Sequence, residues 1–301
     1  MSQSPNHLIT QSRNARTGAL HAFAVLTAGA TFLLLVAGGL VTSTDSGLAV
    51  PDWPLSYGTW FPPMVGGILY EHGHRMIAGL VGLMILALAV WLARREPRAW
   101  VRRLGYVALG AVVAQAVLGG LTVLLLLPPA VSITHACLGQ TVFCLVVSLA
   151  YATSPAWQAA PRSAGDTVPK GWSALGMLAI HLAALQLALG AVIRHTGYAV
   201  MPHIGNAILL VAVALGLAWA VASARPARPV LAAHALRFAA LVAAQAGWGW
   251  GLFGHRGSVA LRTGHVALGA LVLAQGVVLA WELRRRRAPS AARASGEPVA
   301  G

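Results

Sequence analysis

Charge is scarce in this chain: Asp, Glu, Lys and Arg make up 9% of its 301 residues, against 57% that are hydrophobic. No water-soluble domain of this length needs that balance for its core, so an aqueous globular fold is excluded and the bilayer is read as the solvent. Acidic residues are the scarcest, seven against 21 Lys and Arg. The resulting net charge of +14 would suit nucleic acid, but the basic side chains lie mainly in short loops and tails between apolar runs. That is the positive-inside pattern of membrane proteins, and no nucleic-acid partner is expected. Cysteine is almost missing. Cys137 and Cys144 lie inside one apolar run, which excludes a disulfide framework and reads as two small buried apolar residues. A small-residue cleavage site after the first apolar run is lacking too, so that run is read as a retained span and not as a signal peptide.

What the sequence has in abundance is apolar runs near the roughly 20 residues that a spanning helix needs. They lie near 19–41, 71–93, 104–127, 132–153, 172–193, 203–223, 231–252 and 263–283. Eight spans put both termini on one side. Arg94, Arg95, Arg98, Arg102 and Arg103 follow span two, Arg162 and Lys170 follow span four, Arg225 and Arg228 follow span six, and Arg284 to Arg287 follow span eight. Those regions are expected to be cytoplasmic. Arg75, Arg194, Arg256 and Arg262 lie at the other face, taken as the periplasmic side of a bacterial inner (cell) membrane. The longest segment on that face, about 42–69, carries Trp53, Tyr57 and Trp60. A loop of that length in a compact bundle is usually functional. Its aromatics either lie at the headgroup level or form a lid over a site.

An internal repeat emerges when glutamines and histidines are aligned. Span three contains Gln115-Ala-Val-Leu-Gly119 and precedes His135; span seven contains Gln245-Ala-Gly-Trp-Gly249 and precedes His265, each histidine 20 residues after its glutamine. Span five contains Gln186-Leu-Ala-Leu-Gly190, followed by His203 after 17. The fold class read from this is an all-α integral membrane protein whose eight transmembrane helices form two tandem, same-orientation four-helix bundles. The expected division is a cytoplasmic N-terminal tail over 1–18, a first half over 19–153, a cytoplasmic linker over 154–171, a second half over 172–283 and a basic cytoplasmic tail over 284–301.

Each even-numbered span carries a histidine in its first turns: His74, His135, His203 and His265. Polar side chains within apolar spans are costly and usually face a site, and four at one depth, two per half, form a pattern. Each is followed four residues later, on the same helix face, by a small residue: Ala78, Gly139, Ala207 and Gly269. Small residues beside a ligand leave room for a flat macrocycle; tight helix packing is the alternative reading. Two histidines facing one another across a four-helix bundle suit a six-coordinate haem iron, whereas zinc would recruit further protein ligands. The group Glu71-His72-Gly73-His74-Arg75 is the densest polar cluster at a membrane boundary. Glu71 and His74 share a face, and His74, with Ala78 after it, is chosen over His72 as the inward histidine. A carboxylate at this depth marks a functional candidate; an ion pair between Glu71 and Arg75 is the plainer reading. His181 is read as a hydrogen-bonded structural histidine.

These residues resemble a known family. Gly39-Leu-Val-Thr-Ser-Thr-Asp-Ser-Gly47, Pro51-Asp-Trp-Pro54, Glu71-x-x-His74-Arg75, Gln115-Ala-Val-Leu-Gly-Gly-Leu-Thr122 and the Pro128-Pro129 turn are similar to the haem A synthases of bacteria and mitochondria. The second half carries the resemblance through Arg194-His-Thr-Gly197 and His265. It departs in a short loop before His203, in the absence of an Arg after His203, and in Asp45, where glycine is expected.

The resemblance implies an oxidoreductase that converts a ring methyl of haem O to the formyl of haem A by successive hydroxylations. The substrate haem would lie between His74 and His135, with Glu71, His74 and Arg75 as the catalytic group, and a haem b cofactor between His203 and His265. The four histidines would be the haem-iron ligands. Haem O synthase and a terminal oxidase under assembly are the implied partners beside the lipid bilayer. The electron donor is unassigned, and a homo-oligomer stays open. Two other readings stand against this one: a quinone-linked di-haem cytochrome that only passes electrons, and a haem carrier with no chemistry. The first would want haems near opposite membrane faces, whereas all four histidines are expected at one.

Overall fold

A computed structural model describes residues 5–158, 167–225, 227–255 and 257–286, with side chains from residue 18 onward. Arg162, Arg256, Arg287 and the greater part of the basic tail lie outside the described residues. The described chain is all α: α1 Pro5–Ser43, α2 Gly66–Arg95, α3 Ala99–Leu124, α4 Pro129–Thr153, α5 Pro155–Gln158, α6 Lys170–Thr196, α7 Val200–Ala222, α8 Pro229–Gly254 and α9 Val259–Arg285. All but the one-turn α5 are long and apolar enough to cross a membrane. Between 22% and 44% of the most apolar stretch of each is buried inside the protein, so most of that surface faces outward, as in a chain solvated by lipid.

Helix ends follow from local chemistry. Pro129 and Pro229 open α4 and α8, where a missing N–H costs nothing. Gly197, at φ 78°, closes α6 with its N–H on the Ile193 carbonyl. The third apolar run ends as a helix at Leu124, short of its expected end at 127. Leu126 and Leu127 turn left-handed, both at φ 59°, and donate their N–H groups to Val123 and Thr122 ahead of Pro128 and Pro129, which block continuation. At the other terminus α1 runs back to Pro5, through most of the expected tail.

The long helices pack as two groups. In the first, α1, α2, α3 and α4 each touch their chain neighbour and α4 closes back on α1; in the second, α6 to α9 do the same, with α9 closing on α6. Helices α2 and α4 thus stand at opposite corners of the first group, and α7 and α9 at opposite corners of the second. Each group has its own apolar cluster, one built on Ile85, Leu88, Leu92 and Leu149 and the other on Leu217, Leu231, Phe238 and Leu279. Small residues permit close approach: a methyl added at Gly105 would meet Leu92 at 3.0 Å, and one at Gly276 would meet Phe238 at 3.1 Å.

The groups join through α1, α4, α6 and α9. Mid-interface, Phe143 packs with Ala270 and Ala274 beside Phe32 and Leu35. At the end away from the four histidines, Trp281 donates to Ser148 Oγ at 3.1 Å and Tyr151 donates to the buried Glu282. Short α5 belongs to this contact. Its Trp157 stacks edge-on with Trp281, and the Arg285 guanidinium lies 4.6 Å from its ring centre. The linker is therefore anchored where it is described, with Val168 N–H on the Arg286 carbonyl at 2.9 Å. Cys137 and Cys144 are both free thiols.

Candidate functional site

Helices α2, α4, α7 and α9 are the second and fourth members of the two groups. His74, His135, His203 and His265 all sit within the first turns of these helices. Each ring rests on a glycine of the preceding helix. A methyl built on Gly38, Gly119, Gly190 or Gly249 would meet Cε1 of His74, His135, His203 or His265 at 3.1, 3.1, 3.4 and 3.0 Å. Larger side chains there would displace the rings. These glycines are the residues that sequence reasoning missed. The signal was present: Gly119, Gly190 and Gly249 each follow a glutamine by four residues, one helical turn.

Two of the small residues after the histidines lie against amides. Gly139 and Gly269 seat amides: a methyl on them would meet Gln115 Nε2 at 3.0 Å and Gln245 Nε2 at 3.3 Å. Those amides donate to the His135 and His265 backbone carbonyls at 2.9 and 3.0 Å. The same nitrogens lie 3.5 and 3.2 Å from the ring Nε2 atoms. Around His203 the arrangement is indirect: Asn206 donates to Gln186 Oε1 at 2.6 Å and to the Leu182 carbonyl at 2.9 Å. Nδ1 of all four histidines is buried without a hydrogen-bond partner.

The two members of each pair come from opposite corners of a group, the placement that suits one ligand held along the bundle axis. In the second group the rings of His203 and His265 face each other with centres 6.4 Å apart, inclined at 56°. Two imidazoles bound to one metal at about 2 Å each, with about 1 Å more from nitrogen to ring centre, would span roughly 6 Å. By that separation the pair could hold one metal between its rings.

Glu71, 4% exposed, is fully engaged: Arg75 Nη2 donates to its Oε1 at 2.6 Å and the Val50 N–H to its Oε2 at 2.8 Å. Arg75 in turn donates to the carbonyls of Asp52 and Leu55 at 2.7 and 2.8 Å. His72 turns away from His74 and meets Ser56 Oγ at 2.7 Å through Nδ1. One helical turn of α2 thus grips the loop between α1 and α2 through three side chains. The plainer reading of Glu71 and Arg75 as an ion pair holds geometrically, and the pair also fixes the loop. Within the loop, Asp52 accepts from the Tyr57 and Gly58 N–H groups at 2.6 and 2.8 Å. The loop's aromatics differ in what they touch. Trp53 lies on Gly120, where a methyl would meet its ring at 2.6 Å, beside the glycine that faces His135; Trp60 and Phe61 are exposed. Asp45 adopts φ 53°, a left-handed conformation that aspartate tolerates, and its exposed carboxylate lies 3.2 Å from Arg194.

The N–H of Gly58, with those of Tyr57 and Asp52 and the Arg75 charge adding to it, holds the Asp52 carboxyl below its ordinary range. A depressed folded value means that its hold on the turn is complete above the ordinary aspartate pKa and is lost as pH falls through the depressed one. Hydrogen exchange at the Tyr57 and Gly58 amides should therefore stay slow at neutral pH and accelerate only in strong acid. Fast exchange at neutral pH would contradict this.

Residues 66–208 match the model of the cytochrome oxidase assembly protein family, COX15-CtaA. Over parts of its length the chain is similar to proteins named heme A synthase. It is 32% identical over 187 residues to the heme A synthase of Symbiobacterium thermophilum, an alignment covering 60% of each chain. It is 38% identical over 105 residues to that of Lysinibacillus sphaericus, 34% of each, and 47% identical over 62 residues to that of an Exiguobacterium strain, 20% of each. The chain therefore spans three-fifths or less of the length of these relatives. The family match takes in Glu71, His74, Arg75, His135 and His203 and stops short of α9 and His265. His181, set aside as structural, bonds the Met177 carbonyl at 2.7 Å.

Proposed function

We propose that this protein is a haem A synthase of the bacterial inner membrane. It oxidises a methyl group of haem O to a formyl group by successive hydroxylations, in support of terminal oxidase assembly. The observation that carries the reading is the four-fold histidine-on-glycine arrangement at one end of two helix groups, within a chain related to heme A synthases. The two groups are tandem copies in the same orientation, a reading supported by the order Gln, Gly, His in both. Their division at 154–171 leaves a first half over 19–153 for the substrate and a second over 172–283 for the cofactor. With the basic loops cytoplasmic, the histidine end faces the periplasm.

In this reading haem O lies between His74 and His135, and a haem b between His203 and His265. The haem b supplies one-electron transfer when bound, as befits an iron with histidine on both faces. The surrounding residues orient these ligands. Gln115 and Gln245 tie the His135 and His265 backbones to the preceding helices, the glycines let the rings seat, and Trp53 closes the first site beside Gly120. Only the first group combines a histidine pair with a carboxylate, an arginine and a long loop. That asymmetry assigns the chemistry to it, with Glu71 stabilising positive charge near the reacting methyl or relaying a proton.

The test is co-expression with a haem O synthase in a host that makes no haem A, followed by chromatography of extracted haems. Haem A or its hydroxylated precursor is the expected product; neither, from correctly inserted protein, would overturn the reading. His265→Ala should abolish the low-spin spectrum of the second site while leaving the first loaded. Survival of that spectrum would refute the cofactor assignment.

A further inference from the structure

The four histidine sites differ in what holds the helix at the ligand. His135 and His265 are braced directly, each by a glutamine amide on its own backbone carbonyl, and the His203 helix is braced through Asn206 and Gln186. In each case the glutamine stands one turn before the glycine that faces the ring. In α1 the corresponding residue, four before Gly38, is Leu34, which lies in the apolar cluster of the first group with Ile77. The seat is altered as well: where Gly139 and Gly269 receive an amide, the residue four after His74 is Ala78. Neither the amide nor its seat exists at His74, whose ring meets the Leu34 backbone of the preceding helix and leaves Nδ1 without a partner.

What holds this turn of α2 is the outer loop. His72 is bonded to Ser56, Arg75 to the carbonyls of Asp52 and Leu55, and Glu71 to the Val50 N–H. Three residues flanking His74 are thus fixed by a loop outside the apolar spans, whereas the other histidines are fixed by side chains of a neighbouring helix. Loops open at lower free-energy cost than packed helices, so the same event that loosens the loop frees the His74 turn.

We infer that His74 is the exchangeable ligand of the first site: it leaves the substrate iron when the Ser56 and Arg75 contacts loosen, while His135 stays bound. The inference rests on the reading that haem lies between His74 and His135. The bond that breaks is the coordinate bond from iron to the imidazole nitrogen. Its electron pair stays on the ring, the iron keeps its oxidation state, and one face opens to a small diatomic ligand. A haem with histidine on both faces has no such opening.

The test uses the full chain, loaded with haem, reduced, and mixed with carbon monoxide, with uptake followed by absorbance. Leu34→Gln together with Ala78→Gly builds the missing brace. It should slow uptake roughly 3- to 10-fold, the effect of one net hydrogen bond. Ser56→Ala, on the loop and outside the spans, should speed uptake by a similar factor, and it keeps the idea testable if the double variant fails to insert. Gln115→Leu should change the rate less than either. Unchanged rates in both the braced and the Ser56→Ala proteins, or a larger response to Gln115→Leu, would overturn the inference. Failure of the underlying reading looks different: His74→Ala and His135→Ala would then leave the haem content and spectrum of the protein unaltered.

Discussion

Glu71→Ala should retain haem in the protein yet lower haem A formation by roughly 10²–10³-fold, the scale of removing one preorganised electrostatic group from a water-poor site. The carboxylate is buried and accepts from Arg75 and from the Val50 N–H, so its removal takes away a charge and a loop anchor together. Glu71→Gln separates the two. An amide oxygen still accepts from Val50, so the loop should stay in place, with slow hydrogen exchange at the Val50 amide, while the negative charge is gone. Loss of product in Glu71→Gln with the Val50 amide still protected would assign the role to the charge. Full product from that variant would leave Glu71 a loop anchor alone and remove it from the chemistry.

The second large effect is expected at the opposite end of the molecule. Glu282, 2% exposed, pairs with Arg286 at 3.0 Å, lies 3.5 Å from Arg285 and accepts from Tyr151 across the contact between the two groups. Breaking a buried ion pair by removing one partner costs about 3–5 kcal/mol. Glu282→Ala should therefore lower the thermal unfolding midpoint of the purified protein sharply. Tyr151→Phe, which removes one hydrogen bond worth about 1 kcal/mol and no charge, should lower it far less. Equal effects would show that the charge is not what the contact depends on. Trp281, Trp157 and Arg285 surround this point, so loosening between the groups should also appear in tryptophan fluorescence.

Much of the architecture was legible before any coordinates. Eight spans follow from apolar length alone, because a backbone in hydrocarbon must satisfy its own hydrogen bonds and does so as long helices. The place of the four histidines early in the even-numbered spans and the glutamine repeat are visible as letters. The end of the third span was less legible. A run of leucines continues the apolar pattern through 127, but the prolines behind it force the backbone out of the helix at Leu124. The short α5, with Trp157 on Trp281, carries no periodicity that a sequence could display in four residues.

What the site residues do to one another was not readable. Gly139 and Gly269 read as space beside a ligand, and packing filled that space with the amides of Gln115 and Gln245. The glycines that touch the rings lie on different helices from their histidines, so the spacing from each glutamine marks three of them as letters but does not say which ring each one meets. Likewise Glu71 and Arg75 were recognisable as a pair one turn apart, but their hold on Val50, Asp52 and Leu55 depends on how the loop folds back over α2.

The sequence by itself determined eight apolar spans, a histidine in the first turns of each even-numbered one, and a first half with more polar chemistry than the second. Hydrophobic length and period decide those things residue by residue. Only the tertiary structure decided which glycine bears each imidazole, which helices stand at opposite corners, and that His74 alone of the four lacks an amide brace. Contacts between distant helices have no signature in local pattern; they exist once the side chains of two surfaces compete for the same space.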